Sequence, residues 1–430
     1  MKRFFSLLIL LATVATLAIL PASAAEDLDT VTLNVYNWGQ YISDGEDDTL
    51  DVNEAFEEYF NENLAEQYGY YVEVNYSTYP SNEDMYNKLV SGSAQFDVIT
   101  PSDYMIERMI AENRLLPLDF SKIPHIGNID ERFRTEYNTY DPENKYSVPY
   151  TYSMVGIIYN EKYVDEADIG SWDLLWDEKY SGKILQFNNP RDAFGTALYY
   201  LGYSVNTTDH TKWTAALDLL KRQKPLVKAY VMDEIFQTMI SESAYIAPYY
   251  SGDYFTMYCD NEDLAFYYPE EGTNFFVDAM CIPSTAKNVD AAHAYIDYML
   301  QEEAAVANAM YLGYGCPNTV VRENEDYIEY MNDWHEDALE ILYGQEVLLD
   351  DFTDLGDIKS EGIKASFYRA IDNSEENGNL LDFTNDLWSK LKSESSIEPW
   401  IIVTDIAIVG GLLAWLLFSV IRRRRREREY

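Results

Sequence analysis

Aromatic residues and carboxylates recur just past the ends of runs that we predict to be β-strands. The first run, Val31 to Val35, alternates apolar and polar residues, and Trp38 and Tyr41 follow it. Comparable places along the chain are held by Tyr104, Asp192, Tyr250, Asp253, Phe276 and Asp278. Ligands of open α/β sheets bind at the carboxyl ends of the strands. These eight residues are therefore candidate ligand contacts.

Carboxylates and aromatic rings together suit an organic cation. A buried ammonium group loses hydration worth several kcal/mol, and a hydrogen-bonded carboxylate offsets most of that loss. A ring face adds roughly 0.5 to 2 kcal/mol and packs against the methylene groups between charges. The number of carboxylates in the site should therefore follow the number of ammonium groups in the ligand.

The sequence offers little support for an enzyme. Its four histidines are scattered, and it contains no H-E-x-x-H, no G-x-S-x-G and no P-loop pattern. Pairs of carboxylates arise by chance among 74 acidic residues, so they do not by themselves indicate a glycosidase. We predict a binding protein that uses no cofactor and no metal ion.

Strand and helix patterns alternate along the first part of the chain. A helix is predicted over 51–68, a strand over 71–76, a helix from the capping pair Ser81 and Asp84 to Gly92, and a strand over 96–100. This order predicts a parallel sheet with right-handed crossovers, which brings equivalent strand ends to one edge. Ser102 and Tyr104 would then lie beside Trp38 and Tyr41.

Further apolar runs predict a second sheet. Strands are expected at 150–160, 183–187, 245–247 and 279–282, and helices at 192–201, 290–310 and 327–342. Gly313 to Gly315 marks a turn between the last two helices. Asp192, Tyr250, Asp253, Phe276 and Asp278 follow or precede these strands.

Length and composition narrow the possible classes of protein. The roughly 375 residues between the two hydrophobic ends exceed what one core usually organises, so two lobes are expected. Residues 25–399 contain 23 basic and 71 acidic residues, a net charge of −48. That charge repels nucleic acid and favours cations. Cys259, Cys281 and Cys316 match no metal-binding spacing, and we predict buried thiols.

The two ends of the chain predict export and anchoring. Residues 1–24 combine Lys2 and Arg3, an apolar run and a small-residue pattern, as in a secretory signal peptide. Residues 400–421 are almost all apolar and long enough for a transmembrane helix. Arg422 to Arg426 follow directly, so residues 422–430 are predicted to be cytoplasmic. The ligand-binding domain would be extracytoplasmic, at the outer surface or in a periplasmic space.

Eight segments, in order along the chain, resemble the spermidine/putrescine-binding proteins, which are extracytoplasmic receptors of polyamine ABC transporters. The segments are YNWGQYI (36–42), STYPSNEDMYNKL (77–89), FDVITPSDY (96–104), SVPY (147–150), SWDLLWDEKYSGK (171–183), LGYSVNTTD (201–209), FFVDAMCIPSTAKN (275–288) and GYGCPN (313–318).

The resemblance implies an α/β fold of the periplasmic-binding-protein type (type II), with two lobes joined by two hinge crossings and closing on the ligand. Lobe 1 would comprise 30–148 and 279–322, and lobe 2 would comprise 149–278 and 323–392. The implied partners are a polyamine ligand and the permease of an ABC transporter, with the receptor acting as a monomer.

The same resemblance implies a role for each site residue. Trp38, Tyr41, Ser102 and Tyr104 would line the site from lobe 1, and Asp192 and Asp278 would each bind one amine. Tyr250, Phe276 and Tyr314 would supply aromatic faces, and Asp253 resembles an acidic position of putrescine-type members. Gln40 and Asn189 stand where some spermidine binders carry Glu and Asp, so two amine partners are neutral here.

Three functions remain open from the sequence. The first is a membrane-tethered receptor for putrescine or spermidine. The second is a sensory or signalling ectodomain of the same fold, although 422–430 is too short to form a signalling domain. The third is a receptor for another small cation or for an anion, and Arg191 is the one strand-end residue that suits an anion.

Overall fold

The structure, a computed structural model, describes residues 28–45, 49–349, 362–371 and 379–393. The predicted signal peptide (1–24), transmembrane helix (400–421) and cytoplasmic tail (422–430) lie outside the described residues. Among the residues that are described, none of the helices combines the length and the apolar character needed to cross a membrane.

The chain divides into two compact units. Among the described residues, the first unit holds those up to Thr151, Val277–Leu312 and Cys316–Met331, and the second holds Tyr152–Phe276, Gly313–Gly315 and those from Asn332 onward. Two long strands, β4 (Ser147–Asn160) and β9 (Thr273–Cys281), each contain a change of unit. The predicted lobes placed Asp278 in lobe 2, whereas the structure places it in the first unit, because the boundary falls before Val277.

The first unit contains a sheet in which β1 (Asp29–Trp38) lies between β2 (Tyr70–Tyr79) and β3 (Val98–Ile99) and is parallel to both. The end of β9 pairs antiparallel with β3 through Ile99 and Cys281. The elements of this unit, besides the parts of β4 and β9 that fall in it, are β1 (Asp29–Trp38), α1 (Val52–Asn63), α2 (Ala65–Tyr68), β2 (Tyr70–Tyr79), α3 (Asn82–Val90), β3 (Val98–Ile99), α4 (Asp103–Ala111), α9 (Val289–Tyr298), α10 (Glu302–Leu312), α11 (Thr319–Glu323) and most of α12 (Glu325–Trp334).

Local signals in the sequence account for three elements of the first unit, β1, α1 and α3. Leu33 and Val35 of β1 are buried, whereas Thr32 before them is exposed and Asn34 between them is only partly buried, as the alternation predicts. The Ser81 hydroxyl accepts the Asp84 N–H at 3.1 Å and caps α3, which confirms the predicted helix start. Asp51 caps α1 in the same way through the Glu54 N–H at 2.9 Å.

The second unit contains a sheet in which β4 pairs antiparallel with β7 and β8, while β5 lies parallel to β6 and β7. Its elements, besides parts of β4 and β9, are β5 (Ile184–Phe187), α5 (Pro190–Tyr200), α6 (His210–Gln223), β6 (Val227–Val231), α7 (Ile235–Ile240), β7 (Ile246–Tyr250), α8 (Ser251–Asp260), β8 (Leu264–Tyr267), β10 (Val347–Leu349), β11 (Ile363–Ser366) and α13 (Leu380–Ser393).

Two predicted strand boundaries were wrong in a way that affects the site. The strand predicted to end at Ala247 continues to Tyr250, and the strand predicted to begin at Ala279 begins at Thr273. Phe276 and Asp278 therefore lie inside β9 and not before it. All nine residues of β9 are buried, so the strand shows no alternation that would reveal its start. The prediction of buried thiols holds for Cys281 and Cys316, but Cys259 is exposed.

Candidate ligand-binding site

The candidate site of the first unit centres on Asp278, whose side chain is 3% exposed. The Tyr41 hydroxyl donates to Asp278 Oδ2 at 2.6 Å and lies 2.5 Å from Thr151 Oγ1. Burial raises the pKa of the Tyr41 hydroxyl well above its ordinary value, and the charge of Asp278 raises it further. Tyr41 therefore keeps its proton at neutral pH and holds the carboxylate by a charge-assisted hydrogen bond.

Ser102 and Tyr104 lie at the start of α4, and the backbone of Ser102 pairs with that of Asp278 in an antiparallel bridge. The Asn82 side chain donates to Ser102 Oγ at 3.0 Å and to Tyr104 Oη at 3.1 Å, and the Tyr104 hydroxyl donates to Glu83 at 3.0 Å. Asn82, which no strand-end pattern marks, thus joins the side chains of Ser102 and Tyr104.

Trp38 and Gln40 stand at and after the end of β1. The Trp38 indole N–H donates to the Thr100 carbonyl at 2.9 Å, and the indole packs on the Tyr79 ring with 4.6 Å between centroids. These contacts fix the indole plane while leaving the side chain partly exposed. Gln40 is exposed, and its Oε1 accepts the Tyr311 hydroxyl at 3.0 Å. This hydrogen bond joins Gln40 to Tyr311 of α10.

The candidate site of the second unit centres on Asp192, which is 8% exposed. The Tyr250 hydroxyl donates to Asp192 Oδ2 at 2.6 Å, and the Asn189 amide donates to the same oxygen at 2.7 Å. Asn189 also caps α5, because its Oδ1 accepts the Asp192 N–H at 2.8 Å. Burial raises the pKa of Asp192, whereas the hydrogen bonds from Tyr250 and Asn189 lower it.

Aromatic rings surround the second carboxylate. The Tyr250 and Phe276 rings meet edge to face with 5.3 Å between centroids, and Phe276 and Tyr314 meet in the same way at 6.3 Å. Phe276 and Tyr314 are both buried. The three aromatic residues expected from the resemblance therefore form one continuous group within this unit, an arrangement that can cover an ammonium group and its methylene chain.

Asp253 extends this group on the far side of Tyr314. The Tyr314 hydroxyl donates to Asp253 Oδ2 at 2.8 Å. A Cβ atom at Gly252 would lie 2.1 Å from Cδ2 of Tyr314, so the ring can approach α8 only over a glycine. Burial raises the pKa of Asp253 to about 7, and the Tyr314 hydrogen bond opposes that rise. Asp253 therefore changes charge near neutral pH.

Tyr368 also belongs to this site, and the sequence analysis missed it. Its hydroxyl forms a hydrogen bond with Asp192, and its ring lies 4.5 Å from the Arg191 guanidinium carbon. Arg191 donates to the Arg369 carbonyl at 3.0 Å, which holds this segment against the start of α5. Arg191 thus donates a hydrogen bond to the protein's own backbone, whereas its strand-end position suggested an anion contact. Tyr368 lies two residues past the end of β11, but this strand has only four residues and is not among the predicted strands.

Comparisons with known proteins give a consistent result. The model of the family described as bacterial extracellular solute-binding protein matches residues 54–335. The spermidine/putrescine-binding periplasmic protein of Salmonella typhimurium is 32% identical over 302 residues, which are 70% of this chain and 82% of that protein. The putrescine/cadaverine-binding protein of Pseudomonas aeruginosa is 29% identical over 313 residues, with 70% and 83% covered.

A solved structure gives the same answer. The spermidine/putrescine ABC transporter substrate-binding protein PotD of Streptococcus pneumoniae superposes with a TM-score of 0.60 at 33% identity, covering 84% of this chain and 98% of that chain. These matches confirm the resemblance that the eight segments indicated, and they confirm the α/β fold of the periplasmic-binding-protein type.

Proposed function

Because this chain belongs to the family of bacterial extracellular solute-binding proteins, we propose that it binds a polyamine of the putrescine or spermidine type and delivers it to an ABC transporter for uptake. One observation carries the proposal. Each unit holds a buried carboxylate that accepts a tyrosine hydroxyl: Asp278 with Tyr41, and Asp192 with Tyr250.

Both carboxylates suit an ammonium group for the same physical reason. A carboxylate offers about four lone pairs, so an ammonium group can donate to it in addition to the tyrosine hydroxyl. The low exposure of Asp278 and Asp192 means that a cation bound there is largely removed from water, which strengthens the ion pair if the hydrogen bonds are kept. Each of the two carboxylates can therefore accept one ammonium group.

The family membership also answers whether the chain is an enzyme. The relatives are binding proteins, which confirms the prediction that this chain is not an enzyme. Their names give polyamine binding and, for the protein of Streptococcus pneumoniae, an ABC transporter, and we extend both to this chain. The net charge of −48 in residues 25–399 adds a field that favours the approach of cations.

A diamine should be the tightest ligand. The neutral side chains of Gln40 and Asn189 replace two acidic residues of some spermidine binders, and Asn189 already uses its amide to hold Asp192. A third ammonium group would therefore depend on Asp253, which accepts the Tyr314 hydroxyl.

Calorimetric titration of the purified full-length protein in a neutral detergent tests this function. We expect one putrescine per chain at pH 8 with a dissociation constant below about 10 μM, which corresponds to roughly 7 kcal/mol. Cadaverine, spermidine, spermine and the monoamine butylamine provide the comparison. Butylamine should bind far more weakly, because it carries one ammonium group and putrescine carries two.

The same titration at two salt concentrations and at pH 6 supplies the controls. Binding should weaken at pH 6, because protonation of Asp253, whose pKa is about 7, removes a negative charge from the site. Weak binding at many sites that vanishes in salt would contradict the proposal, because exposed charges alone collect polycations in that way.

We also propose that the receptor is tethered beside its transporter by residues 400–421, with residues 422–430 in the cytoplasm. The apolar length of 400–421 and the arginines that follow support this topology. We expect the full chain to sediment with membranes through an alkaline carbonate wash, and a chain that ends at Pro399 to be released. Release of both chains by the wash would contradict the tether.

A further inference from the structure

The first unit contains a second buried carboxyl group beside Asp278. Asp103, the first residue of α4, is 1% exposed, and its Oδ2 accepts the backbone N–H of Val277 at 3.0 Å. Its Oδ1 accepts the N–H of Tyr104. Both carboxylate oxygens of Asp103 thus accept hydrogen bonds from backbone N–H groups. One of these N–H groups belongs to Val277, the residue directly before Asp278.

The backbone on the other side of Asp278 is tied to the same segment. The Ala279 N–H donates to the Pro101 carbonyl at 3.1 Å, and Asp278 itself is bridged to Ser102. Val277 is also the first residue of the first unit after the chain leaves the second unit at Phe276. The Asp103 side chain therefore fixes β9 at the point where it enters the first unit. This point lies one residue before Asp278, the carboxylate proposed to bind an amine.

We propose that Asp103 is a positioning residue that sets the place and direction of the Asp278 carboxylate for the ammonium group of the ligand. This inference rests on the proposed function. Without the Asp103 acceptor, the Val277 N–H loses a buried hydrogen bond and β9 can shift at the residue before Asp278. A binding group that is displaced by about 1 Å loses much of its effect even when it is chemically intact.

The role of Asp103 calls for a hydrogen-bond acceptor and not for a charge. Burial raises the pKa of Asp103 well above its ordinary value, the hydrogen bond from Val277 lowers it, and the nearby charges of Asp278 and Glu107 raise it. An asparagine can keep an oxygen for the Val277 N–H, but its NH₂ group then faces the Tyr104 N–H, which loses its acceptor. Asparagine should therefore replace Asp103 in part, and alanine should not replace it.

Three variants of the full-length protein test this role by putrescine titration. Asp103→Ala should bind putrescine about tenfold more weakly or worse, because a buried donor is left without its acceptor. Asp103→Asn should weaken binding less than Asp103→Ala, because it can keep an oxygen for the Val277 N–H. Asp97→Ala is the matched control: Asp97 is 0% exposed, lies in the same unit, and accepts the N–H groups of Asn34, Lys287 and Asn288. It should lose stability and keep its affinity.

Hydrogen exchange in the absence of ligand gives a second readout. The Val277 amide should exchange slowly in the unchanged protein and in Asp103→Asn, and faster in Asp103→Ala. If Asp103→Ala does not fold, Asp103→Ser serves instead, because its hydroxyl is too short to replace the carboxyl oxygen. Equal affinity of Asp103→Ala and the unchanged protein, or equal weakness of the Asn and Ala variants, would overturn the proposal.

The two experiments separate the two proposals. If the unchanged protein fails to bind putrescine, the proposed function is wrong, and the role of Asp103 toward an ammonium group fails with it. If the unchanged protein binds putrescine and the Asp103 variants bind equally well, only the positioning role is wrong.

Discussion

Replacement of Asp278 by asparagine is expected to weaken putrescine binding by about 30-fold or more. Truncating one partner of a buried, hydrogen-bonded charge pair costs about 2 to 5 kcal/mol, because the remaining ammonium group stays buried without its counter-charge. Asp278 is 3% exposed and holds the Tyr41 hydroxyl at 2.6 Å, so water cannot easily take the place of the carboxylate. Calorimetry on Asp278→Asn measures the effect directly.

Asp97→Asn is the control for this first prediction. Both side chains are buried acids of the first unit, but Asp97 binds backbone N–H groups of the protein itself. Circular dichroism and thermal melting establish that each variant is folded. If Asp278→Asn binds putrescine as tightly as the unchanged protein, the assignment of Asp278 to an ammonium group must be abandoned.

Replacement of Asp192 by asparagine should have an effect of similar size in the second unit. The Asp192 carboxylate accepts both the Tyr250 hydroxyl and the Asn189 amide, and asparagine can accept those bonds but carries no charge. We therefore expect the fold to remain and the affinity for putrescine to fall by about 30-fold or more. The affinity for butylamine should change less, because a monoamine can use the remaining carboxylate.

Asp209→Asn is the matched control in the second unit. Asp209 is exposed and caps α6 by accepting the Thr211 N–H at 2.8 Å, so its replacement affects a helix start without touching the aromatic group. Should Asp192→Asn lower the affinities for butylamine and putrescine by the same factor, the two-carboxylate interpretation would not hold.

Features that depend on residues close together in the sequence could be predicted, and features without such a local pattern could not. The caps of α1 and α3 and the alternating burial of β1 depend on residues within a few positions of one another, and they were predictable. The strand β9 is buried at every position, so its sequence lacks the period that distinguishes a strand. The predicted start at Ala279 is too late for this reason, and it leaves Phe276 and Asp278 before the strand instead of inside it.

By itself, the sequence determined the type of fold and predicted the chemical character of the candidate site. Carboxylates and aromatic residues near strand ends indicated an organic cation, and the eight ordered segments indicated the family. Only the tertiary structure decided which groups hold each carboxylate. Thr151 beside Tyr41, Tyr368 beside Asp192 and Asp103 beside Val277 are joined by packing between segments far apart in the chain. Such contacts depend on how several elements pack together, and no local pattern of residues encodes them.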